Sequence, residues 1–253
     1  MIAEREVKCT VENFTGTEST TVYDPVLGNV ELAFMIRWNY VCDDPYLQAR
    51  GIGLQDAYTD QNGDLHYGGY YKLLTGEGGV WQGTGEVHNG ASTSLYYGKG
   101  LYEGLILQAE GASEGLPEKI KVIKPTNFGP TPTPVEGALI YETEVTCPVS
   151  DVIPRGDGLS MVYSCTEPYL QGKSFSIIDT DKSAEPWVVS EFTEIVTGEG
   201  VWKGMCAATQ DPKVNFPDKG KCIFSGERGY NGLMMTMAWD GDQVKIRVTE
   251  VAV

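Results

Sequence analysis

The chain has two histidines, His66 and His88, and fourteen tyrosines. These side chains are well suited to move or hold a proton without a cofactor, because imidazole titrates near neutrality and a phenol donates a hydrogen bond. His66 shares strand parity with Gly68, Tyr70 and Lys72, and His88 shares it with Glu86, Thr84 and Gln82. If that parity faces a cavity, imidazole, phenol and carboxylate meet there; the opposite parity turns them to solvent. Arg37 and Asn39 interrupt an apolar stretch that also carries Trp38 and Tyr40. A guanidinium inside a barrel holds a substrate carboxylate or oxyanion, whereas on an outer face it is solvated or paired with a neighbouring unit. Tyr40, Tyr58, Tyr67, Tyr70, Tyr71, Tyr96 and Tyr97 crowd the first half, which suits an aromatic pocket and equally suits plain strands. The candidate catalytic residues are therefore His66, Tyr70, Arg37 and His88, with Asn39, Trp38, Tyr40, Tyr58 and Glu86 as candidate substrate-binding residues.

Other chemistries lack their residues. Asp60-x-Asn62-x-Asp64 begins like a calcium loop, but Leu65 stands where the loop's glycine belongs and Tyr71 where its bidentate glutamate belongs. No Gly-x-Ser-x-Gly, phosphate loop or dinucleotide fingerprint occurs. The six cysteines form no Cys-x-x-Cys pair, so no zinc site is expected. In a chain of this size with no export signal they are expected to be buried, reduced thiols. No metal and no cofactor is expected.

The elements that must position these groups come in two copies. Cys42-Asp43-Asp44-Pro45-Tyr46-Leu47-Gln48 reappears as Cys165-Thr166-Glu167-Pro168-Tyr169-Leu170-Gln171, an offset of 123 (165 − 42). Thr75-Gly76-Glu77-Gly78-Gly79-Val80-Trp81-Gln82-Gly83 returns as Thr197-Gly198-Glu199-Gly200-Val201-Trp202-Lys203-Gly204. Tyr102-Glu103-Gly104-Leu105 returns as Tyr230-Asn231-Gly232-Leu233, and Glu6-Val7-Lys8-Cys9 as Glu144-Val145-Thr146-Cys147. Residues kept by both halves build the fold; residues peculiar to one half are where function sits. The histidines belong to the second kind, since His66 corresponds to Val188 and His88 to Thr209. So do Arg37 and Asn39, which correspond to Ser160 and Val162.

Four prolines in residues 125–134 mark a semi-rigid linker. The expected domains are 1–125, a linker at 126–135, and 136–253. Within each half the periodicity is β. Residues 30–42 alternate Val30, Leu32, Phe34, Ile36, Trp38 and Tyr40 on one face. Strands are expected at 50–59 and 65–74 around an Asn62-Gly63 hairpin turn, and at 80–88, 101–110 and 119–124. The second half repeats them at about 158–166, 173–180, 187–196, 201–209, 221–225, 232–239 and 243–251. Many short antiparallel strands with frequent turns mean a sandwich or a barrel, and closure removes exposed edges, which favours two tandem antiparallel β-barrels.

The stretch Gly69–Val87, with Thr75-Gly76-Glu77-Gly78-Gly79-Val80-Trp81-Gln82-Gly83-Thr84-Gly85 at its centre, resembles the core of the allene oxide cyclase and dirigent barrels. Val196–Gly204 looks like a second copy without the later glycine, for Met205-Cys206-Ala207 follow. The resemblance covers about 20 residues per half and implies an eight-stranded barrel around an apolar cavity, used for cofactor-free cyclisation or for guiding reactive small molecules. The tandem arrangement departs from the single-barrel members, and no catalytic residue of the family carries over.

The charge of −16 opposes a nucleic-acid or anionic-membrane partner. No apolar run reaches the roughly 18 residues of a membrane helix, and Met1–Glu6 lacks the basic flank and apolar stretch of a secretory signal. The expected compartment is the cytoplasm, and a homo-oligomer is left open. The expected function is a cofactor-independent lyase, isomerase or cyclase working by acid–base chemistry on a hydrophobic or aromatic small molecule in the first barrel. The alternative is a lipocalin-like binding protein with no chemistry.

Overall fold

The structure, a computed structural model, describes residues 2–16, 18–24, 28–59, 62–112, 116–125, 136–154, 158–183, 185–214 and 217–251. The chain divides into two units, Met1–Thr131 and Pro132–Val253; the expected linker at 126–135 lies outside the described residues. Both units are all-β. Among the described residues no helix is long and apolar enough to cross a membrane.

The first unit holds β1 (Ala3–Glu6), β2 (Cys9–Thr15), β3 (Glu18–Asp24), β4 (Gly28–Cys42), β5 (Ala49–Thr59), β6 (Leu65–Thr75), β7 (Gly79–His88), β8 (Ala91–Gly100), β9 (Ile106–Gly111) and β10 (Lys119–Ile123). They pair in the order β1-β10-β9-β8-β7-β6-β5-β4-β2, with β3 alongside β4. The second unit holds β11 (Glu136–Thr146), β12 (Val149–Pro154), β13 (Gly158–Tyr163), β14 (Gly172–Asp181), β15 (Trp187–Thr197), β16 (Val201–Gln210), β17 (Lys219–Glu227), β18 (Leu233–Asp240) and β19 (Gln243–Val251). Their order, β11-β19-β18-β17-β16-β15-β14-β13-β12, repeats the first meander.

Closure follows from the connection between the edge strands. β1 and β2 occupy opposite edges of their sheet, yet two residues, Val7 and Lys8, join them. The sheet must curl until its edges meet. The link hydrogen-bonds to both sides: Val7 N–H donates to Glu118 O at 2.8 Å and Asp43 N–H donates to Lys8 O at 3.1 Å. Cys147 and Pro148 do the same in the second unit, where Cys147 N–H donates to Asp242 O and Ser164 N–H to Pro148 O. In each unit the link thus ties one end of the two edge strands to the neighbouring chain.

The duplicated blocks build one end of each barrel. Trp81 and Trp202 are fully buried, and each indole N–H donates to a turn carbonyl, Tyr46 O at 2.9 Å and Tyr169 O at 3.1 Å. Tyr102 stacks on Trp81 at 4.6 Å and Tyr230 on Trp202 at 4.5 Å. Asp44 and Glu167 accept the turn N–H groups of Tyr46 and Tyr169. These shared residues hold the fold, and their carboxylates act on backbone donors.

Three expectations change. The cysteines are not reduced thiols: all six pair, as Cys9–Cys42, Cys147–Cys165 and Cys206–Cys222. The first two are the same bridge in the two copies. Residues 91–100 form β8, and the strand expected at 101–110 begins only at Ile106, because Gly104 at φ +75° takes part in a turn. Finally, β4 does not keep one face throughout. A register shift between Ala33 and Ile36 sets Ala33 opposite Gln55 and Ile36 opposite Gly53. The extra residue exchanges faces, so Val30 lies on the side opposite Ile36, Trp38 and Tyr40.

Candidate functional site

The first barrel encloses a cavity of about 260 Å³, the second a void of about 20 Å³. The difference is written in matched cross-strand pairs. In the first barrel Trp38 faces Gly51 and Tyr71 faces Gly53. A Cβ on Gly51 would come within 2.2 Å of the indole, and one on Gly53 within 2.4 Å of the Tyr71 ring, so the absent side chains let large rings lie flat on the wall. Their counterparts are Met161 facing Ser174 and Thr193 facing Ser176. Gly85 faces Ser94 across β7 and β8; at the corresponding place in β16 and β17, Cys206 faces Cys222 and the two are bonded. A disulfide therefore stands where the first barrel has open space.

The open cavity is walled by Ile36, Trp38 and Tyr40 from β4, Gln55 from β5, Tyr67 and Tyr71 from β6, Gly85 and Val87 from β7, and Ser92, Ser94 and Tyr96 from β8. Val11, Phe14 and Glu86 complete it. Phe14 is brought there by a bulge in β2, where Asn13 adopts φ +53° and Glu12 and Thr15 pair with Asn39 and Arg37. Asparagine tolerates that left-handed conformation, and Phe14 is left exposed.

The rings stand at steep angles. Trp38 meets Tyr40 at 5.7 Å and 78°, and Tyr71 at 5.5 Å and 85°. Tyr71 donates to Gln55 Oε1 at 3.3 Å. The Trp38 indole N–H is buried and makes no hydrogen bond, though it lies near enough to the Tyr40 hydroxyl to ease its ionisation slightly. Burial dominates the phenols. It pushes Tyr96 up to about 12 and holds Tyr40 and Tyr71 well above the ordinary phenol value, with neighbouring tyrosines adding to the effect on the latter two. These groups stay protonated across the physiological range. Glu86 is the single carboxylate among the described lining residues; its side chain is exposed, with Thr93 Oγ1 donating to it at 3.4 Å.

The structure sorts the sequence candidates by strand parity. Trp38 and Tyr40 line the cavity; Glu86 alternates with Gly85 and Val87, so its carboxylate faces outward beside Thr93. Arg37 and Asn39 alternate with Trp38 and Tyr40 and so face outward. His66 and Tyr70 alternate with Tyr67 and Tyr71 and lie, buried, on the opposite side of β6. Tyr58 and His88 join His66 there: the Tyr58 and His66 rings stack at 4.9 Å, and His66 lies 4.3 Å from His88. His66, Tyr70, Arg37 and His88 thus do not meet in the lumen. Of the clustered tyrosines, Tyr40, Tyr67, Tyr71 and Tyr96 line the cavity, together with Gln55 and Ser94, which the sequence does not single out. A usable signal was present, since Gly51, Gly53 and Gly85 mark the wall positions that Ser174, Ser176 and Cys206 fill in the other copy.

The second lumen holds one buried acid, Glu191, on β15. Burial pushes it up to about 7 against hydrogen bonds from Ser176 and Thr193. Tyr163, also pushed up by burial and by Glu191, lines the same void. Among the described residues no group of three or more His, Cys, Asp or Glu side chains is placed to hold a metal ion. No family model, curated protein or solved structure matches the chain.

Proposed function

We propose that this protein binds one compact hydrophobic or aromatic molecule in the first barrel, with the second barrel as its scaffold. The observation that carries the reading is the contrast between two copies of one fold, a cavity of about 260 Å³ against a filled void of about 20 Å³. An engineered apolar cavity of about 150 Å³ takes up benzene, so the first lumen suits a ligand of about ten non-hydrogen atoms. Its wall supplies aromatic area with a few hydrogen-bonding groups, the pattern of a small-molecule site.

Acid–base catalysis as a lyase, isomerase or cyclase ranks second. A general acid or base must reach the substrate and exchange its proton near the working pH. The phenols of Tyr40, Tyr71 and Tyr96 are in reach but hold their protons too tightly, and His66 and His88 lie across the sheet from the cavity. Three disulfides weigh toward an oxidising compartment over the cytoplasm expected from the sequence.

Incubation with a panel of phenolics, terpenoids and polyketide-like compounds tests the proposal. Native mass spectrometry reads what binds, and liquid chromatography–mass spectrometry reads what changes. A compound that binds and returns intact supports the binding protein; one that returns rearranged, dehydrated or split establishes the cyclase-type reading in its place.

A further inference from the structure

Resting on that binding reading, we propose that the ligand is a small organic cation, a compact quaternary ammonium carried on an apolar or aromatic body. Trp38, Tyr40, Tyr71 and Tyr96 wall the cavity, and Trp38 meets Tyr40 and Tyr71 at 78° and 85°. Walls set at right angles surround a rounded group with ring faces, whereas a flat neutral ring is best gripped between parallel walls. The Trp38 N–H is shut off from the cavity, so this residue presents ring carbon there. The Tyr71 hydroxyl is turned to Gln55 Oε1.

Charge points the same way. No Lys, Arg or His lines the cavity among the described residues. An anion would enter without a counter-charge, while a cation meets negative ring faces. The chain's charge of −16 raises the local concentration of cations around it. A quaternary ammonium is also weakly hydrated compared with a primary amine, and aromatic cages hold such groups in water-poor sites.

Two compounds of one shape separate this inference from the reading beneath it. Trimethyl(phenyl)ammonium and tert-butylbenzene differ by a charged nitrogen in place of a carbon. In isothermal titration calorimetry on the full chain, the ammonium is expected to bind about tenfold more tightly. Equal affinity, or tighter binding of tert-butylbenzene, overturns the cation while leaving the cavity as a binding site. Failure of both to bind overturns the binding reading itself.

Discussion

Glu191 illustrates how one side chain sets a property of the whole barrel. Its neighbours in the void are Tyr163, Thr193, Met161 and the Cys206–Cys222 bridge, with no cation among the described lining residues. Raised to about 7 in the folded chain from 4.5, it keeps a proton that the unfolded chain releases. That stabilisation is full below the unfolded value and is lost as pH rises toward 7, an effect of up to about 3 kcal/mol. The urea midpoint is expected to fall between pH 4.5 and 7.5, and Glu191→Gln to flatten the slope. A midpoint independent of pH in the wild type would mean that the carboxyl is solvated. Trp81 and Trp202 offer a matched pair at the same scale: each is fully buried with its N–H satisfied. Alanine at either is expected to cost about 3–5 kcal/mol, measured by denaturant unfolding, because both perform one structural task.

At the scale of elements, β5 carries glycine where the Trp38 and Tyr71 rings of the cavity wall lie on it. Gly51→Ala must displace the Trp38 indole, which a Cβ would approach within 2.2 Å. It is expected to destabilise the barrel by about 1–3 kcal/mol and to cut ligand affinity at least tenfold. Affinity kept at wild-type level would separate the cavity from Trp38. The strands themselves were largely legible, since β5, β6, β7 and their counterparts alternate regularly between turn residues. β8 was not, because Ala91–Gly100 mixes serine, glycine and tyrosine without a clear period. Nor was the bulge between Ala33 and Ile36, which costs nothing visible in composition yet exchanges the faces of β4. Trp38 and Tyr40 were found because they lie beyond that bulge. The placement of His66 and His88 is not legible in the sequence, because parity on β6 and β7 is fixed by burial that no single strand reveals. The disulfides were foreshadowed by Cys9 and Cys42 recurring as Cys147 and Cys165, a repetition that free thiols do not require.

At the scale of the molecule, duplication separates stability from function. Both barrels keep the aromatic end cluster, the two-residue closure and the bridge beside it. Replacing both cysteines of Cys9–Cys42 or of Cys147–Cys165 by alanine is expected to cost about 2–4 kcal/mol each, read as a lower urea midpoint. Equal costs would match the equivalent places of the two bridges, and no cost at either would deny them a part in holding the barrels closed. The lumens diverge instead, one walled by the Trp38 and Tyr71 rings over Gly51 and Gly53 with Gly85 facing Ser94, the other bridged at the matching place by the third disulfide. On the binding proposal, one ligand per chain is expected.

The central claim, that the first lumen is the binding site because it lacks the second lumen's plug, is most directly tested by moving the plug. Gly85 and Ser94 are cross-strand partners, as Cys206 and Cys222 are. The double variant Gly85→Cys/Ser94→Cys, oxidised, would place a bridge in the first lumen, with Ser94→Cys alone as control. Native mass spectrometry with phenolic and ammonium compounds of about ten non-hydrogen atoms is expected to show one ligand per chain in the wild type and the control, and none in the bridged variant. A bridged variant that still takes up its ligand would place the site elsewhere and contradict the account.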